Sequence, residues 1–333
     1  MFLSEQWYLL KQYRGTQKVN EIKRLLQLPA KMSVNYYNPM DITAVAAFAN
    51  YANKYEKGTG GATRYIAQRL MSMSPAFTND STVLDNACGT GIVTEEIHKR
   101  ISFTSSPANT KITVVAADAA APMIDNLNSK IKHVEGTAAW LNIGSISTHV
   151  VPAESLDSTI VPSDSITHSY MNFGLFFCSD AIKAAEHIYR SLAPGGTAFV
   201  TTWKDLGYLN AVRKTEKACN PGGENFNMPF SAQWEDGEYV KDLLVRSGFA
   251  KENVKVVQEE SFMRFEAVQE MARTLTESFT MLIRGQKGWQ SDEVKNEWES
   301  KLSENLVEDE HFIQDGENGV AIRMMANIAV CTK

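Results

Sequence analysis

No stretch of this 333-residue chain approaches the roughly 20 consecutive apolar residues that a membrane-spanning helix needs, so no membrane partner is expected. Cysteine is scarce. Cys88, Cys178, Cys219 and Cys331 stand apart, with no Cys-x-x-Cys pair and no Cys/His spacing that would hold zinc. This sets aside a disulfide framework and a metal site, and predicts free thiols in the reducing environment of the cytoplasm. An excess of positive charge is also missing. Lys and Arg total 33 against 39 Asp and Glu, a formal net charge of -6, which argues against nucleic acid as the main partner. Internal repeats and low-complexity tracts are absent. What is present is ordinary globular composition, 44% hydrophobic and 22% charged, with length enough for a large domain plus an elaboration.

The first 31 residues carry Lys11, Arg14, Lys18, Lys23, Arg24 and Lys31 against only Glu5 and Glu21, with Leu9, Leu10, Val19, Ile22, Leu25 and Leu26 at helical spacing. A mitochondrial address fits the charge, but the two glutamates and the shortage of serine disfavour it. An amphipathic helix packed on the domain or on a second subunit fits better, and either a monomer or a homodimer is compatible with it. Asn35 to Pro39 reads as a loop. Helices are expected over Ala44–Tyr55 and Ala62–Met73, broken by Gly58-Thr59-Gly60-Gly61. Residues 1–75 are thus expected to form an N-terminal helical cap on a main domain spanning 76–333.

From Thr82 onward strands and helices alternate. Short apolar, β-branched runs predict strands at Thr82–Asn86, Ile112–Ala117, His149–Val151, Asp164–Met171, Thr197–Trp203, Val254–Phe265 and Val320–Cys331. Amphipathic spacing predicts helices at Gly89–Arg100, Pro122–Lys132, Ala181–Leu192, Tyr239–Ser247, Val268–Ile283 and Asp292–Glu308. The alternation implies an α/β fold of the Rossmann-like kind, a seven-strand, mostly parallel sheet with helices on both faces. Insertions near 207–235 and 268–310 are expected to form a lid.

The stretch Asp85-Asn86-Ala87-Cys88-Gly89-Thr90-Gly91 joins the first strand to the first helix. At that place ligands bind in the crevice beyond the strand ends, and glycines let the backbone approach them. The second strand ends on Asp118, where a carboxylate can accept two ribose hydroxyls; capping the helix before Pro122 is the alternative, and the position at the strand end favours the ribose role. A dinucleotide site expects Gly-x-Gly-x-x-Gly and an acid about 20 residues on. The third glycine is missing here and Asp118 comes later, so a nicotinamide-dependent oxidoreductase is the weaker reading.

These features resemble motif I and the strand-two acid of the class I S-adenosylmethionine (SAM)-dependent methyltransferases. Further blocks, Thr201-Thr202-Trp203 and Tyr239 through Val256, resemble fungal secondary-metabolite methyltransferases, including those that methylate the thiols of gliotoxin. The resemblance implies SAM as cofactor. It implies that Asp85 approaches the methionine amino group, that Ala87, Gly89, Thr90 and Gly91 form the loop, and that Asp118 holds the ribose while Ala119 and Met123 flank the adenine. Pro152 stands where the family often has Asp, which leaves Glu154 or the main chain near Ala153 to meet the adenine amino group. Tyr55 and Thr59 lie where the family's entry helix approaches the cofactor carboxylate, and Asn172 follows strand four into the site. Phe173, Phe176, Phe177, Trp203 and Tyr37 are the candidates to face the acceptor, with plain core packing as the alternative for the rings. The expected activity is methyl transfer to a sulfur, oxygen or nitrogen of a small, largely apolar acceptor. A SAM-fold cyclase or binder is the rival, and no residue announces itself as a catalytic base.

Overall fold

The computed structural model describes residues 44–103, 110–133, 144–221, 228, 230–279, 289, 291–316 and 319–333. The helix expected over the first 31 residues and the candidate Tyr37 lie outside the described residues. In chain order the elements are α1 (Ala44–Tyr51), a helical turn (Tyr55–Gly58), α2 (Ala62–Met73), β1 (Thr82–Asn86), α3 (Ile92–Phe103), β2 (Ile112–Asp118), α4 (Ala121–His133), β3 (Gly144–Val150) and β4 (Ile166–Asn172). They continue with α5 (Ala181–Ser191), β5 (Leu192–Asp205), α6 (Leu209–Cys219), α7 (Gly237–Arg246), β6 (Val254–Phe265), α8 (Val268–Phe279), α9 (Asp292–Val307), β7 (Phe312–Gln314) and β8 (Val320–Thr332).

The sheet runs β3-β2-β1-β4-β5-β8-β6, with β7 added to β8. Strands β1 to β5 pair in parallel, while β8 lies antiparallel between β5 and β6. The order reverses between β1 and β4, and in such a sheet the crevice for a ligand opens at the carboxyl ends on either side of that reversal.

Local chemistry sets the elements. In β1 the side chains from Val83 to Asn86 are all buried, as a central strand covered on both faces requires. Helix α5 starts because the Asp180 carboxylate accepts the Lys183 N–H at 3.0 Å, and it buries Ala184, Ala185 and Ile188 completely. Asp236 caps α7 in the same way through the Glu238 N–H at 2.9 Å.

Three differences from expectation have physical reasons. Among the described residues there are eight strands, not seven: β7 is only three residues long, too short to show a period. Strand β3 begins at Gly144 rather than His149, because an edge strand reading Gly-Ser-Ile-Ser-Thr-His-Val buries none of its side chains fully and carries no apolar run. Strand β5 begins at Leu192 rather than Thr197, because Pro194-Gly195-Gly196 continues it: the Gly195 N–H bonds the Lys333 carbonyl at 3.0 Å and the Gly196 carbonyl accepts the Lys333 N–H at 3.1 Å.

The core does not break at residue 75. Ile66, Ala67 and Leu70 of α2 are fully buried in the same cluster as Leu84 and Phe199. Ser74 Oγ and Tyr170 Oη are 2.7 Å apart, and Tyr170 stacks on Phe199 at 5.4 Å. The insertions pack on one another: Trp298 of α9 donates to Glu216 of α6 at 3.1 Å, and Asn305 donates to Thr215 at 2.8 Å. Helix α8 reaches the cap through Tyr51–Ser278 at 3.0 Å, Lys54–Glu277 at 2.8 Å and Lys57–Glu270 at 2.9 Å.

Candidate active site

Beyond β1, β2 and β4 lies a half-open cleft of about 720 Å³, the solvent at its mouth included. The loop after β1 turns through three left-handed residues, Ala87 (φ 53°), Gly89 (φ 54°) and Gly91 (φ 85°). Ala87 takes that conformation at a cost of about 1–2 kcal/mol. Its methyl group is accommodated because Gly174 opposite has no side chain; a Cβ there would sit 2.5 Å from the Ala87 Cβ. Gly91 is bare for packing, since its Cβ would lie 2.4 Å from Leu127 Cδ1 of α4. Gly89 is bare for another reason. Nothing lies within 4 Å of the place its Cβ would take, so its backbone faces open cleft.

Asp118 closes that cradle. Its Oδ2 accepts the Gly89 N–H at 2.9 Å and its Oδ1 the Ala120 N–H at 2.8 Å. Each oxygen keeps further acceptor capacity for a ligand hydroxyl. The two readings of this residue, turn-capping and ligand-binding, are therefore compatible in one carboxylate. Burial pushes the group up, against the two N–H bonds.

Asp85 sits behind the loop rather than on the cleft wall. It is 1% exposed, and its Oδ2 accepts the Thr94 N–H at 3.0 Å and the Thr94 hydroxyl at 2.6 Å. Burial pushes its carboxyl up to about 7 despite those bonds. Its carboxylate caps α3 from below, so any approach to a ligand amino group is not made directly through the cleft. Thr90 and Gly91 are likewise behind the wall, and the buried Thr90 hydroxyl has no partner among the described residues.

Ala87, Gly89, Asp118, Ala119 and Met123 do line the cleft, with Tyr55 from the cap and Ala153 and Glu154 beyond β3. Glu154 Oε1 accepts the Ser179 N–H at 3.1 Å and the Ser179 hydroxyl at 2.5 Å. Asn172 lines it too, but its amide is committed: Nδ2 donates to the Thr63 carbonyl at 3.2 Å and Oδ1 accepts from Thr201 Oγ1 at 3.0 Å.

A second cavity of about 760 Å³ adjoins the first. Phe173, Phe176, Phe177 and Trp203 all line it, so these rings are both packed and cavity-facing; Phe173 stacks on Trp203 at 3.9 Å. Thr59 also belongs here rather than to the first cleft, its hydroxyl donating to the Glu56 carbonyl at 3.0 Å. The two cavities share four walls: Phe48, Tyr55, Phe173 and Phe177.

Several lining residues carried no local signal. Phe48 hides in an amphipathic helix, and Cys178, Tyr208, Met228, Met263 and Met324 come from separate parts of the chain. Burial, joined by the nearby Glu154, pushes the Cys178 thiol up and keeps it protonated. Burial, with Asp118 beside it, does the same for the Tyr55 phenol. Arg64 was also missed. It pairs with Glu56 and Glu95 and, at 2.7 Å, with Glu96, while Lys130 joins Glu95 at 2.7 Å. This network ties the cap to α3 and α4 behind the loop. His168 lies buried against Phe77, and burial pushes its imidazole down to about 4. Among the described residues, no group of three or more His, Cys, Asp or Glu is placed to hold a metal ion. None of the four cysteines forms a disulfide.

Comparison with known proteins places this geometry. Residues 83–196 match a family described as a methyltransferase domain. The chain is similar to methyltransferase ktnA of Aspergillus niger, 24% identical over 304 residues that cover 84% of this chain and 93% of that protein. It is also similar to the acetylaranotin bis-thiomethyltransferase of Aspergillus terreus, 25% identical over 183 residues, 53% of this chain and 57% of that protein. Among solved structures, the [4+2]-cyclase SpnF shares the fold, with a TM-score of 0.51 at 14% identity over 89% of this chain and 97% of that one.

Proposed function

We propose that this chain is a SAM-dependent methyltransferase, similar to those of fungal secondary metabolism, that methylates a sulfur, oxygen or nitrogen atom of a small, largely apolar acceptor of that kind. The observation that carries the reading is the pair of cavities that share Phe48, Tyr55, Phe173 and Phe177. The residues of the first cleft fit SAM. Gly89 offers bare backbone over open space, Asp118 offers free acceptor capacity, and Ala119 with Met123 offers an apolar slot. When bound, SAM supplies an electrophilic methyl group on sulfonium sulfur.

The protein's own part is alignment and dryness. Apolar and aromatic walls keep water from the junction, and a fixed approach of the two reactants can supply about 7–11 kcal/mol of the barrier. Asp118, Glu154 and the loop hold the cofactor end. Phe173, held by its stack on Trp203 and by its N–H bonded to Thr201 Oγ1 at 2.8 Å, fixes one side of the passage. Tyr55 stays a neutral phenol there, able to donate a hydrogen bond but not to take a proton. An acceptor with an acidic proton, such as a thiol, partly supplies its own nucleophile. The free thiols suit a cytoplasmic setting.

The test is mass spectrometry of a panel of thiols, phenols and carboxylic acids incubated with protein and SAM. A product heavier by one methylene supports the reading. SAM binding with no such product across the panel selects the cyclase or binder.

A further inference from the structure

The second cavity is apolar apart from a few hydroxyls, and one of these stands out. Tyr51 Oη is paired with Ser278 Oγ at 3.0 Å, and the Thr59 and Thr63 hydroxyls bond each other at 3.1 Å. The Tyr208 hydroxyl has no hydrogen-bond partner among the described residues, although Tyr208 lines the cavity and burial pushes its phenol up. Tyr51 contributes to that shift, as a neighbour on the same cavity would.

Tyr208 is only part-buried, so its hydroxyl stays open to the cavity and is available to meet a ligand there.

Tyr208 is also held rigidly. It follows Gly207, where a Cβ would lie 2.0 Å from the Arg323 carbonyl oxygen and 2.9 Å from His311 Cβ, so the backbone is pressed against β8. His311 bridges Asp205 at 3.0 Å and Asp309 at 2.9 Å, fixing the chain just before the turn. The Leu209 N–H bonds the Leu206 carbonyl at 2.7 Å, and the Tyr208 carbonyl accepts the Val212 N–H at 3.1 Å in the first turn of α6. A donor fixed in this way loses little freedom when a ligand meets it.

We propose that Tyr208 is a specificity residue whose hydroxyl donates a hydrogen bond to an oxygen on the acceptor, so that the acceptor is an apolar ring system bearing a carbonyl or comparable oxygen away from the methylated atom. This rests on the methyl-transfer reading of the second cavity. The three methionines around the site, Met228, Met263 and Met324, adapt to the shape of the ring system, while Tyr208 reads its oxygen.

The experiment uses a matched pair of probes, 2-acetylnaphthalene and 2-isopropenylnaphthalene, which differ in the oxygen. Each is titrated calorimetrically into the full chain saturated with S-adenosylhomocysteine. The wild type is expected to bind the ketone roughly tenfold more tightly than the alkene, as one buried hydrogen bond allows. Tyr208→Phe is expected to bring that ratio close to one while leaving the affinity for S-adenosylhomocysteine unchanged. A ratio equal in the two proteins, a wild type that prefers neither probe or binds neither, or a preference erased by Tyr51→Phe instead, overturns the proposal. Failure to bind S-adenosylhomocysteine is a different result and strikes the underlying reading.

Discussion

Gly89 and Gly91 are two residues apart and have opposite reasons to be glycine, and this separates packing from binding at the residue scale. Gly91→Ala combines a left-handed φ with a contact against Leu127, and is expected to cost about 2–4 kcal/mol of stability in urea unfolding. Gly89→Ala meets no atom, so its cost is about 1–2 kcal/mol, but its methyl group enters the cleft and SAM affinity falls steeply. Calorimetry on both variants checks the division. If Gly91→Ala proves the gentler change in stability, the packing account is wrong. Asp118→Ala removes acceptor capacity for the ribose together with the Gly89 and Ala120 bonds, and SAM affinity is expected to drop roughly 10–100-fold. An unchanged affinity would leave Asp118 as a turn residue alone. Asp85 adds a pH signature. Its carboxyl titrates near 7 in the folded chain and near 3.9 when unfolded, so the folded state holds the proton more tightly. The stability this contributes is full below about pH 4 and is lost as the pH rises to 7. Asp85→Asn keeps an acceptor for Thr94 and removes the titration. From pH 5 to pH 8 the wild-type melting temperature is expected to fall relative to this variant; parallel curves would contradict the burial of a proton there.

At the scale of elements, the Arg64 network joins α2, α3 and the cap turn. Arg64 and Glu96 are largely buried, with side chains 18% and 6% exposed. Arg64→Met leaves Glu56, Glu95 and Glu96 with only Lys130 and Lys99, and is expected to cost about 2–4 kcal/mol at neutral pH. Urea unfolding of Arg64→Met, Glu96→Gln and the double variant measures it, and strictly additive losses would mean that packing, not charge, holds these helices. Legibility also divides by element. The buried strands β1, β2 and β4 could be read locally, because their burial leaves apolar runs in the sequence. The polar edge strand β3 and the three-residue β7 leave no such trace. The inward turn of Asp85 toward Thr94 was equally hidden, since a strand-end acid looks the same whether it faces a ligand or caps the helix behind it.

For the molecule as a whole, the cleft proposed for the cofactor is built from contiguous sequence and the cavity proposed for the acceptor is not. Ala87 to Gly91 and Asp118 to Met123 are short motifs at two strand ends. The second cavity draws Phe48, Trp203, Tyr208, Met263 and Met324 from five separate elements or turns, and only the sheet order β5-β8-β6 brings the last of them together. That is why the aromatic residues after β4 could be named from sequence while Tyr208 and the methionines could not. The central claim is that the first cleft holds SAM and opens on an acceptor through Phe48, Tyr55, Phe173 and Phe177. Calorimetric titration of the full chain with SAM and with S-adenosylhomocysteine tests it most directly. The account predicts saturable one-to-one binding of both, lost in Gly89→Ala and weakened in Asp118→Ala; no binding at millimolar ligand would contradict it.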